Sequence, residues 1–96
     1  MEHLNCHPLP LLRRVRAALR PGGMLTGSTP DPAVWQEDLP PVELADLPQW
    51  RSSEALADKH VRLYEPGELE GLLQEAGFSG VIIERTGAPR YHWRAL

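Results

Sequence analysis

Apolar positions along this chain recur with two different periods. Leu11, Leu12, Val15, Ala18 and Leu19 share one side of a helical wheel, and Arg13, Arg14, Arg16 and Arg20 occupy the rest. Spacing of three and four residues predicts an amphipathic helix with a single core-facing stripe. Pro8 and Pro10 suit its start, where a missing N–H costs little. Pro21 disfavours helical backbone at Arg20 and ends the helix. Gly22 and Gly23 permit positive φ and a sharp reversal. Met24–Ser28 then reads as a short strand that Thr29-Pro30 stops. Within it, Gly27 marks a close approach by a ligand or another backbone.

The same period returns in Pro66–Ala76, where Leu69, Leu72, Leu73 and Ala76 form the stripe. Pro66 fits the first helical position and Gly77 the left-handed residue after the C-cap. Val81–Arg85 opens with Val81-Ile82-Ile83, a β-branched run that predicts a strand buried on both faces. Gly87-Ala88-Pro89 makes a turn. Tyr91–Leu96 alternates, with Tyr91, Trp93 and Ala95 on one face and His92, Arg94 and Leu96 on the other. The expected fold class is therefore α/β.

Asp31–Lys59 has neither period. Prolines interrupt it, acidic residues dominate its charge, and it holds Trp35 and Trp50. So long a connection is usually a lid, a binding loop or disorder. Short helices are expected at Pro41–Leu47 and after Ser52 or Ser53, either of which is a usable N-cap. One reading makes the segment a substrate cap in which Trp35 or Trp50 closes over a ligand. The other makes it a surface excursion whose tryptophans cover sheet edges.

Composition narrows the picture. The chain has 96 residues, enough for one small domain, and 42% are hydrophobic, which argues against wholesale disorder. Its net charge of −3 argues against a general nucleic-acid binder. The spread of arginines around the first helix fits a solvated face. A single cysteine, Cys6, permits no internal disulfide and fits a reducing, cytoplasmic setting. No apolar run approaches the ~20 residues of a membrane span, and Met1–Asn5 lacks the character of a signal peptide.

Adenosyl-binding folds need a glycine-rich turn after the first strand, because only glycine lets backbone approach the ligand closely. None of the eight glycines forms G-x-G between a strand and a helix. A complete cofactor site is therefore not expected in this chain. His3, Cys6 and His7 have zinc-like spacing, but four ligands are the rule and Pro8 discourages a helix through His7. No metal site is assigned.

Helix, LRPGGML turn, strand, and a closing S-T-P together resemble the class I S-adenosylmethionine-dependent methyltransferases. So do the opening Glu2-His3-Leu4, the run His60-Val61-Arg62-Leu63-Tyr64 with Glu65-Pro66-Gly67-Glu68-Leu69, and Glu75-Ala76-Gly77-Phe78. The resemblance covers nearly the whole chain outside the middle loop, and it implies the C-terminal half of a Rossmann-like sheet with its last strand antiparallel. Residues 1–96 would form that partial domain, with 31–59 as a proline-rich lid or insertion. The implied function is methyl transfer to a small molecule with S-adenosylmethionine as cofactor, in a chain inactive alone because the cofactor half is absent. A subunit of a split enzyme, paired with a complementary N-terminal half or a second copy, and a non-enzymatic interaction module remain alternatives.

The resemblance also nominates residues. Glu2 and His3 match the end of an E-x-x-E-H motif that holds a divalent cation near the acceptor in ubiquinone-type members. The first Glu of that motif has no counterpart here. His3 and His60 are thus the catalytic candidates, His60 as a general base for an acceptor hydroxyl. Tyr64, in the same run as His60, is a substrate-side candidate; the other is Trp35, from the cap reading of the middle loop. Two ordinary roles compete with these: frayed terminal residues for Glu2 and His3, and a local loop hydrogen bond for His60.

Overall fold

Leu9–Ala18 forms the first helix, α1, with Pro8 at its N-cap and Pro10 in its first turn. It begins two residues before the expected stripe, and Leu9 joins Leu12 as a buried core residue. Ala18, expected in the stripe, is exposed, because the chain turns extended at Leu19. Leu11 faces away from the main core and packs on a small second cluster of Leu4 and Cys6. The computed structural model describes residues 1–4, 6–48 and 60–96. Trp50 and the helix expected after Ser52 or Ser53 lie outside them.

After α1 the chain reverses at Gly22, which takes φ +79°, while Gly23 keeps a negative φ. Strand β1 spans Leu25–Pro30, strand β2 Ile82–Glu84 and strand β3 Arg90–Ala95. Their order in the sheet is β1-β3-β2, and both pairings are antiparallel. The last strand therefore runs antiparallel beside β1, as expected. Register along β1 and β3 goes from Leu25 opposite Ala95 to Pro30 opposite Arg90.

Two strand expectations need correction. Thr29 and Pro30 do not stop β1 but complete it, and both are buried. Asp31 N–H still bonds Pro89 O at 2.8 Å, one pair beyond Pro30 and Arg90. Bonded and non-bonded pairs alternate in an antiparallel ladder. Pro30 thus sits where its missing N–H would have pointed away from β3. Strand β2, expected to be buried on both faces, is an edge strand with Ile82 and Glu84 exposed. One sheet face is uncovered there, so the β-branched run shields only Ile83 and Val81 in part.

The second helix, α2, is Pro66–Glu75 and buries Leu69, Leu72 and Leu73. Pro66 occupies the first position, as its sequence predicts. Gly77 adopts φ +101°, its N–H bonds Gln74 O, and Phe78 N–H bonds Leu73 O, each at 3.0 Å. These are the paired bonds of a Schellman cap, and the buried Phe78 supplies its apolar contact. Leu9 and Leu12 of α1, the α2 leucines, and Tyr91, Trp93 and Ala95 of β3 form one core. Both helices therefore cover the same face of the sheet. On the other face Thr26, Ser28, Ile82, Glu84, His92 and Arg94 line an open hollow.

Among the described residues of the middle segment there is one 3-10 turn, Leu44–Asp46, inside the stretch expected to be helical. The segment is tied down at several points. Arg62 Nε donates to Val42 O at 2.7 Å, and His7 N–H donates to Pro48 O at 2.9 Å. Arg62 is itself held by the Glu68 carboxylate, with Nη2 2.8 Å from Oε2.

Candidate functional site

The end of β1 positions the first part of the site. Asp31 is buried, and its carboxylate accepts from Arg85 Nε at 2.9 Å and from Ala33 N–H at 3.0 Å. Its carbonyl accepts from Val34 N–H and Trp35 N–H at 2.9 and 2.6 Å. A tight turn thus carries Trp35 out from the sheet edge at a fixed height. The Arg85 guanidinium outweighs the cost of burial and lowers the Asp31 carboxyl to about 2.

His60 arrives from the other side. Val61 N–H donates to Glu2 O at 2.7 Å, which ties the start of this run to Glu2-His3. Glu2 is buried, and its Oε1 accepts from Arg90 Nη2 at 2.9 Å. Arg90 also holds Ser28, through Oγ at 3.1 Å and the carbonyl at 2.8 Å. Burial raises the Glu2 carboxyl, but the Arg90 bond and nearby positive charge win and take it down to about 2.

These supports bring three of the four nominated residues together. The His60 ring lies 4.8 Å from the His3 ring, edge to face, and 5.5 Å from the Trp35 ring. Glu37 links them. Its Oε1 accepts from Trp35 Nε1 at 2.9 Å and lies 2.6 Å from His60 Nδ1. The two bonds, Trp35 first, hold the Glu37 carboxyl below its ordinary range. An ionised carboxylate only accepts, so His60 Nδ1 carries the proton in this pair. In the neutral ring this leaves Nε2 as the nitrogen able to accept a proton, the arrangement a general base needs.

Tyr64 does not join them. Its side chain is fully buried in the core between the helices and β3, and its carbonyl accepts from the buried Tyr91 Oη at 2.7 Å. Burial pushes the Tyr64 hydroxyl up to about 12. The Arg62 guanidinium lies over the ring, 4.8 Å from its centroid. In this structure Tyr64 is a packing residue, because the apolar faces of α1 and α2 enclose it.

Glu37 is the member that sequence reasoning missed. It is 23 positions from His60, and no motif connects them. Its one signal is adjacency to Trp35 in an acidic loop. Asp31, Arg85 and Arg90 were equally silent, since ion pairs across a sheet leave no local pattern.

Glu2, His3 and His60 also place one ligand atom each within 4.8 Å of one another. The donor set does not fit a hard divalent cation, which wants mostly oxygen ligands. One carboxylate is present, and its Oε1 already accepts from Arg90. The adenosyl cofactor also lacks a cradle among the described residues. Gly22 lies in a helix-to-strand turn, Gly77 caps a helix, and Trp93 fills the space over Gly27. Among the described residues no helix is long and apolar enough to cross a membrane.

A protein family described as a methyltransferase domain matches residues 1–82. No curated protein and no solved structure matches the chain.

Proposed function

The chain belongs to the methyltransferase domain family, and on that premise we propose that it forms the acceptor side of a methyl-transfer site for a small molecule. Methyltransferases of this kind generally use S-adenosylmethionine. In this proposal His60 takes a proton from the acceptor at Nε2, Glu37 holds the ring and stabilises its charged form, and Trp35 covers the acceptor. His3 packs on the His60 ring and limits its rotation. The observation that carries the proposal is the 2.6 Å contact between His60 Nδ1 and Glu37 Oε1, made beside an indole.

The donor's cradle is supplied from outside these 96 residues, because the glycine-rich turn is not among them. A complementary half, whether on this chain or on another, would dock along the side of β1 that faces away from β3. The test pairs this chain with the glycine-rich half of a related domain. Formation of S-adenosylhomocysteine is then followed against a panel of hydroxyl and amine acceptors. His60→Gln should lower kcat by about 100-fold or more, the usual worth of a general base. Equal turnover by wild type and His60→Gln would remove His60 from the chemistry.

A further inference from the structure

Beside the His60–Glu37 pair lies an open hollow of about 630 Å3 lined by Pro32, Trp35, Gln36, Glu37, Asp38 and Leu63. Its chemistry is one-sided. Among the described residues, two carboxylates, an indole, an amide and two apolar side chains line it, and no cationic side chain does. The nearest arginine in sequence, Arg62, lines the adjoining hollow and is committed to Glu68 and Val42. Glu37 is fixed in place by Trp35 and His60, so its charge is presented at a set distance from the indole.

We propose that this hollow binds an organic cation, a small molecule with a protonated amine attached to an apolar body. The ammonium lies over the face of the Trp35 ring, beside the Glu37 carboxylate that the indole N–H holds, so that an aromatic quadrupole and a carboxylate both attract it. Asp38 adds a second negative charge at the rim. Pro32 and Leu63 receive the apolar body. A neutral alcohol of the same shape keeps the apolar contact and loses both electrostatic attractions, whereas a carboxylate ligand meets two like charges.

The inference rests on the acceptor-side proposal only in treating the bound amine as the methyl acceptor; the binding itself needs no methyl donor. The full chain is titrated with 2-phenylethylamine and with 2-phenylethanol at pH 7 and low salt, and binding is read by calorimetry. The amine should bind at least tenfold more tightly. Glu37→Gln should bring the two within about threefold of each other, since one charged partner is gone. In the wild type, raising sodium chloride to about 0.5 M should shrink the preference, because the site is open to solvent. Equal affinity for the two ligands, no binding of either, or a preference that survives both Glu37→Gln and high salt would overturn the proposal. A negative result here leaves the turnover test of His60 untouched, and a negative turnover result leaves this one untouched.

Discussion

Trp93 packs over Gly27, its direct partner in the β1–β3 ladder. A Cβ at position 27 would fall 2.6 Å from Trp93 Cε2. The glycine leaves room for the indole to cross to β1, where Nε1 donates to Thr29 Oγ1 at 3.1 Å. Gly27→Ala should therefore push the ring off its site and break that bond. A loss of about 1–3 kcal/mol is expected, as for other overpacked cores. An unchanged urea midpoint would show that the ring relocates freely.

Leu69 and Leu73 have no exposed surface. Truncating either to alanine should cost about 2–5 kcal/mol, with little change in denaturant slope. Leu63, half-buried at the rim of the Trp35 hollow, should cost far less. A comparable loss at all three positions would mean that the loop is as firmly packed as α2.

Acid should loosen the chain through Asp31. Its folded carboxyl, at about 2, lies below the ordinary unfolded value near ~3.9. The group therefore stabilises the fold fully above about pH 4 and loses that contribution as pH falls toward 2. Glu2 acts in the same direction, also from about 2. Stability measured from pH 6 to pH 2 should fall steeply across the lower half of that range in the wild type. The fall should be shallower in Asp31→Asn. Identical profiles would remove the Arg85 pair from the acid response.

The isolated chain should not bind S-adenosylmethionine with a dissociation constant in the micromolar range. The reason is structural: the described glycines serve turns, a helix cap and the Trp93 contact, or lie within α2. Calorimetry with purified protein is decisive, and micromolar binding would mean that a cradle of another kind exists.

Local rules carried much of the fold. Proline before a leucine stripe and glycine after it located α2, because capping and periodicity act within a few residues. Alternation placed Tyr91, Trp93 and Ala95 inward for the same reason. The error at β2 came from treating β-branched residues as evidence of two-sided burial, when burial depends on what lies across the sheet. The error at Thr29-Pro30 came from treating proline as a stop, when its missing N–H is harmless on a side with no partner strand. At the site, His3 and His60 were legible as residue types at motif positions, and Trp35 only as an aromatic in the proline-rich loop. Their meeting through Glu37 was not, since Glu37 is distant in sequence and conforms to no pattern. Tyr64 was misplaced because a residue next to a motif can turn inward as readily as outward.

Along the outer side of β1, the backbone groups of Thr26 and Ser28 point away from β3, and Arg90 already caps the Ser28 carbonyl. Pro30 offers no N–H beyond it. Any strand that docks there gains hydrogen bonds only near the Met24 end and then meets a closed terminus. That makes the edge a short, polarised socket. It can seat one strand in one position, but it cannot propagate pairing from molecule to molecule in the way that a long unbroken edge does. Association through β1 is accordingly expected to stop at a single partner.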